Sequence, residues 1–116
     1  MVSVYDGDTI TIVARVGRKP YQFKCRLNRI DTAEMRGTSP EVKAVAIEAK
    51  KALEQKLLYR MIDLRDVQLE KYGRVLAEIY FRGENVNQWM LNNRYAVEYD
   101  GGTKKKVDWV NYRNNP

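Results

Sequence analysis

The chain has 116 residues, 44% hydrophobic and 31% charged, with a net charge of +6 and a pI near 9.5. That length suits one domain with a modest core, and the apolar content excludes a disordered chain. The positive charge favours a polyanionic partner, nucleic acid ahead of an anionic membrane surface. Histidine is absent and Cys25 is the only cysteine, which excludes Ser-His-Asp and Cys-His catalysis, His-based ribonuclease chemistry, an internal disulfide and a cysteine-rich zinc site.

Val2-Ser3-Val4-Tyr5 reads as strand from almost the first residue, so a trimmed leader or first strand is expected. Thr9 to Val16 is rich in β-branched residues and predicts a strand, and Gly17-Arg18-Lys19-Pro20 a turn. Tyr21 to Ile30 predicts the next strand, with Tyr21, Phe23, Cys25 and Leu27 on one face and Gln22, Lys24, Arg26 and Asn28 on the other. In that register Cys25 is a small buried hydrophobe and Arg26 points away from the core, free to reach a ligand. Asp31 to Ser39 reads as a loop.

Ser39-Pro40-Glu41 signals a helix start: a hydroxyl N-cap, proline at the first position and an acid in the first turn. Val42, Val45, Ala46, Ala49, Leu53 and Leu57 then recur at helical spacing, to about Leu57 or Leu58. Met61 to Gln68 and Val75 to Phe81 predict two strands, joined by a hairpin carrying Glu70 to Arg74. Asn85 caps a second helix from Val86 to about Asn93, and an aromatic tail with Trp109 and Tyr112 follows. The order β-β-β-α-β-β-α predicts a single mainly β domain, a five-stranded Greek-key barrel of OB type with a helix across one end. No stretch is long and apolar enough to span a bilayer and no signal-peptide pattern is visible, so secreted and cytoplasmic locations stay equally open.

Three short segments carry the chemistry: Asp6-Gly7-Asp8-Thr9, Arg26-Leu27 leading to Ile30-Asp31-Thr32-Ala33-Glu34, and Lys71-Tyr72-Gly73-Arg74. Each alone reads as an ordinary turn, strand exit or hairpin tip. Together they combine carboxylates, which suit a hard cation, with arginines, which suit phosphate. In a small barrel neighbouring strand ends converge, so Asp8 and Asp31 are expected side by side, where two carboxylates require a proton or cation between them.

These segments stand in the order found in staphylococcal nuclease-like (thermonuclease) domains, with Val75-Leu76-Ala77 and Asn85-Val86-Asn87 also in place, and the chain resembles that family from Val4 to about Tyr99. The resemblance implies a Ca²⁺-dependent phosphodiesterase on an OB barrel, acting on DNA and RNA. It implies Asp8, Asp31 and the Thr32 backbone carbonyl as Ca²⁺ ligands, with Asp6 just outside them holding metal-bound water. It implies Arg26 and Arg74 at the scissile phosphate, Glu34 orienting or deprotonating the attacking water, and Lys71 and Tyr72 at the nucleotide's other phosphate. Tyr99 is the candidate for a base-stacking tyrosine. The implied reaction expels the 5′ oxygen, leaves 3′-phosphates and prefers single strands; a monomer with no membrane partner is the default.

The chain departs from the pattern at three places. Ala33 stands where the family usually has proline, which implies a less rigid Glu34 and slower turnover. Asn93 is expected to replace the glycine that usually ends the second helix, and the C-terminal helix is expected to be short. The rival expectation is an OB-fold module that binds nucleic acid or protein without cutting.

Overall fold

The computed structural model describes residues 3–70, 73–102, 104 and 106–114. Strands β1 (Ser3–Asp6), β2 (Thr9–Val16) and β3 (Lys19–Leu27) form an antiparallel meander, as their alternation dictates. Ile10, Ile12, Cys25 and Leu27 turn inward, while Thr9, Thr11, Lys24 and Arg26 share the outer face. Burial pushes the Cys25 thiol up to about 12, in keeping with a role as core filler.

A short β4 (Ile30–Thr32) follows, then helix α1 (Pro40–Leu57), β5 (Asp63–Leu69), β6 (Val75–Phe81), β7 (Glu84–Asn85), α2 (Val86–Asn92), β8 (Ala96–Glu98) and α3 (Trp109–Asn114). The sheet runs β1-β2-β3-β6-β5, with β3 and β6 parallel and β7 beside β6, and β4 pairs separately with β8. The protein is thus mainly β, a mixed sheet with three helices, compatible with the five-stranded OB-type barrel. Among the described residues no ladder joins β5 back to β1.

Helix α1 begins as its sequence demands. The Ser39 hydroxyl accepts from the Val42 N–H at 3.2 Å, and Pro40 opens the first turn. Val45, Ala46, Ala49, Leu53 and Leu57 form its buried stripe. The core joins Leu53, Leu57, Ile79, Val86 and Met90 to the inner faces of β2 and β3. A second cluster packs Ala33 with Val45, Ala46 and Trp109, so the short α3 is docked by Trp109, with Tyr112 alongside.

Three local expectations are corrected. The strand predicted from Tyr21 to Ile30 ends at Leu27, because Arg29 takes a left-handed conformation (φ 69°) that breaks the pleat. Asp31 and Thr32, read as the start of a loop, lie instead in β4, which finds its partner in β8. The left-handed residue after α2 is Arg94 (φ 60°), while Asn93 stays at φ −95°. Arg94 N–H donates to the Leu91 carbonyl and Tyr95 N–H to the Met90 carbonyl, a Schellman pattern. The Arg94 guanidinium, 4.2 Å from the Tyr112 ring and donating to the Tyr112 carbonyl, offsets the strain of that backbone.

Gly7 is buried where β1, α1 and β4 meet. A Cβ there would lie 3.0 Å from both Ala49 Cβ and Thr32 Oγ1. Gly7→Ala is therefore expected to destabilise the fold by about 1–3 kcal/mol through overpacking. Urea denaturation with an unchanged midpoint would refute this tight fit.

Candidate active site

Asp8 ends the turn just before β2 and Asp31 sits in β4, and both carboxylates reach the guanidinium of Arg26 on β3. Arg26 Nη2 lies 3.5 Å from Asp8 Oδ2 and 3.7 Å from Asp31 Oδ1. All three side chains are at least nine-tenths buried. The register explains the meeting: Thr9 pairs with Arg26, and the Leu27 N–H donates to the Asp8 carbonyl at 2.8 Å. The Arg26 guanidinium thus lies between the two carboxylates.

Arg26 is held loosely for a buried arginine. Its other hydrogen bond, from Nη1 to the Leu27 carbonyl, is also 3.5 Å, and the Tyr99 ring lies 5.2 Å from Cζ. A guanidinium has five N–H donors, so one with only long contacts keeps capacity for a planar anion.

Asp8 is tied at both edges. Its N–H donates to Asp6 Oδ1 at 3.1 Å, which closes the Asp6-Gly7-Asp8 turn. The Thr9 hydroxyl donates to Asp8 Oδ1 at 3.1 Å. Burial pushes the Asp8 carboxyl up to about 6, reinforced by the Asp6 side chain and opposed by Arg26 and Thr9. The folded protein therefore binds this proton more tightly than the unfolded chain, whose ordinary value is 3.8. Asp8 costs stability at neutral pH, and that cost fades as pH falls through about 6 toward 4. Asp8→Asn is expected to raise the melting temperature at pH 8, by stability on the order of 1–3 kcal/mol, with the gain vanishing near pH 4. A gain that does not change with pH would contradict this.

Asp31 Oδ1 is buried without a hydrogen-bond partner, although Lys104 Nζ stands 3.1 Å away as an ion pair that lacks hydrogen-bond geometry. The same ammonium is 3.9 Å from Glu34 Oε1 and 5.8 Å from the Tyr99 ring centroid. The Glu34 side chain, 67% exposed, extends from the loop after β4. Ala33 is buried against α1 and Trp109, so packing holds this loop where proline is missing.

Arg74 and Tyr99 line the same cleft, a space of about 1150 Å³ that also includes Asp6, Asp8, Arg26, Asp31, Thr32, Glu34 and Lys104. Arg74 Nη2 pairs with Glu70 Oε2 at 2.9 Å across the hairpin. Tyr99 OH donates to the Gly102 carbonyl at 2.6 Å, which fixes its ring beside Arg26. Lys71 and Tyr72 lie outside the described residues. Eight of the ten sequence-predicted site residues thus gather in one cleft.

Two basic residues of the site escaped the sequence reading. Lys104 belongs to the visible Lys104-Lys105-Lys106 run, but only the fold brings it to Asp31. Arg29, half-exposed in the cleft wall, donates from Nε to Glu78 Oε1 at 2.9 Å, and its guanidinium is stabilised in the charged form by that carboxylate. Its signal was its place between Arg26 and Asp31.

The site offers a hard cation two carboxylates, one with a buried oxygen that is ion-paired but accepts no hydrogen bond, plus the backbone of Thr32. That oxygen-only donor set fits Ca²⁺ or Mg²⁺ better than a soft metal. Among the described residues no three acidic or cysteine side chains cluster as metal ligands.

The family described as staphylococcal nuclease homologue matches residues 24–114, a span that begins after Asp6 and Asp8. A curated relative, an uncharacterized endonuclease of Haemophilus influenzae, is 29% identical over 99 residues, covering 85% of this chain and 51% of the relative. The chain therefore spans about half the length of that relative.

Proposed function

We propose that this chain, which belongs to the staphylococcal nuclease homologue family, is a metal-assisted nuclease that hydrolyses phosphodiesters of DNA and RNA. The observation that carries this reading is the under-engaged Arg26 guanidinium, buried between Asp8 and Asp31 in a cleft that Arg74 also lines. Asp8, Asp31 and the Thr32 carbonyl are the residues suited to hold Ca²⁺, with Asp6 beside them. When bound, the cation supplies neutralisation of phosphate charge and polarisation of water.

The protein's own part is to bind, orient and move a proton. Arg26 and Arg74 meet the non-bridging oxygens, where charge builds during displacement. Arg74 must exchange its Glu70 partner for phosphate. Glu34 accepts a hydrogen bond from the attacking water and takes its proton as the oxygen bonds to phosphorus. The P–O5′ bond breaks, the leaving 5′ oxygen takes a proton from solvent water to become the alcohol, and a 3′-phosphate remains. Tyr99 offers a stacking face for a base, which favours single-stranded substrate, and Lys71 and Tyr72 serve a neighbouring phosphate.

The experiment is digestion of a labelled single-stranded oligonucleotide with Ca²⁺, wild type beside Glu34→Gln, followed by mass analysis of the ends. Cleavage to 3′-phosphates that Glu34→Gln slows by about 10²–10⁴-fold supports the reading. Products with 5′-phosphates, or an unaffected variant, would overturn it.

A second reading, binding without cleavage, draws on Lys104, whose ammonium sits against Asp31 and Glu34. If the site takes a dication, removing a nearby positive charge must strengthen its binding. Lys104→Met is expected to lower the half-saturating Ca²⁺ concentration for cleavage several-fold. An unchanged Ca²⁺ requirement would mean that the ammonium and the ion do not share the site.

A further inference from the structure

We propose that the outer face of β1 to β3 beyond Arg26, carrying Lys24 and Tyr5, is a further nucleotide subsite that binds the neighbouring phosphodiester and base of a single strand. It rests on the nuclease reading of the Arg26 site and extends it along the substrate.

Lys24 and Arg26 are one same-face step apart on β3, paired with Thr11 and Thr9 of β2. Two residues of strand advance about 6.6–6.8 Å. That spacing is comparable to the span between consecutive phosphates of an extended single strand. Both cations, both threonines and Tyr5 line the one cleft, so a strand that puts its phosphate on Arg26 passes next over Lys24.

The charges on this face are available. Among the described residues Lys24 makes no ion pair, unlike Lys50, Lys56 and Lys104. Its ammonium rests instead 4.6 Å from the centroid of the Tyr5 ring. Tyr5 itself is 50% exposed, a large aromatic left in water at the rim of a basic cleft. A cation over an exposed ring is worth little, whereas an ammonium–phosphate contact is charge-assisted and stronger. An arriving phosphate therefore draws Lys24 off the ring and frees the ring face for a base. Stacking of this kind tolerates any base, so the subsite lengthens the footprint without reading sequence.

The test is fluorescence anisotropy in the presence of a chelator, where no metal-dependent cleavage intrudes. Wild type, Lys24→Met, Tyr5→Phe and Tyr5→Ala are titrated against a mononucleotide and oligothymidylates of increasing length. Lys24→Met is expected to weaken oligonucleotide binding, to reduce the slope of log affinity against log salt by about 0.7, and to leave mononucleotide binding unchanged. Tyr5→Ala is expected to lose about 5- to 100-fold on oligonucleotides, and Tyr5→Phe to match wild type. Equal affinity of all four proteins at every length would overturn the subsite. Equal losses on mononucleotide and oligonucleotide would overturn it too, since they would place the effect at Arg26. Cleavage by wild type with Ca²⁺, measured in parallel, keeps the two proposals apart: a cleaving enzyme with unaffected variants loses the subsite alone. A wild type that neither binds nor cuts loses both.

Discussion

Arg26→Ala is expected to lower the single-turnover cleavage rate by at least about 10²–10³-fold, the loss seen when one donor to a developing oxyanion is removed. Arg26→Lys should recover little of it, because an ammonium keeps the charge and lacks the fork that two phosphate oxygens require. The same variant reports on the carboxylates. Without the guanidinium, Asp8 and Asp31 are two buried acids with Lys104 as their nearest remaining cation. Breaking a buried charge cluster in this way costs about 3–5 kcal/mol. Calcium should then raise the melting temperature of Arg26→Ala more than that of wild type, since the ion replaces the missing charge. Near-normal rates in the alanine variant would remove Arg26 from the chemistry.

Asn87→Ala is expected to destabilise the fold by about 3–5 kcal/mol. Asn87 is fully buried and joins three elements. Its Oδ1 accepts from the Ile79 N–H at 3.1 Å. Its Nδ2 faces the Asn28 carbonyl at 2.8 Å, the Ala77 carbonyl at 3.2 Å and Glu78 Oε2 at 2.8 Å. Truncation leaves these groups buried and unpaired. Asn87→Asp should fail as well, because it loses the donor and sets a second carboxylate against Glu78. The Asn28 carbonyl belongs to the turn that leads from Arg26 into Asp31, so partial loss of activity should accompany partial loss of stability. Chemical denaturation of both variants decides this, and a shift below about 1 kcal/mol would show that the amide is dispensable.

The parts of this protein that were legible beforehand are those written locally. Ser39-Pro40-Glu41 announces α1, strand alternation places Cys25 inward and Arg26 outward, and Trp109 docks the short last helix. The approach of Asp8 to Asp31 was legible as well, because strand ends converge there, but the Arg26 guanidinium lying between them was not. What was not legible depends on distant partners. The left-handed Arg29 is supported by Glu78, 49 residues away, and by the Asn87 grip on Asn28, 59 residues away. Neither pairing leaves a periodic trace. Arg94 displaced Asn93 as the left-handed residue because Tyr112 of α3 holds its side chain, again a contact with no local signature. Lys104 reached Asp31 only through the turn after Tyr99.

The most direct measurement is cleavage of a labelled single-stranded oligonucleotide by wild type and Asp31→Asn across a calcium titration with a chelator control. Wild type should cleave with calcium and stop with the chelator, and Asp31→Asn should not cleave at any calcium concentration. Cleavage by Asp31→Asn at the wild-type rate, or wild-type cleavage undiminished by the chelator, would contradict a metal-assisted nuclease centred on Asp8, Arg26 and Asp31.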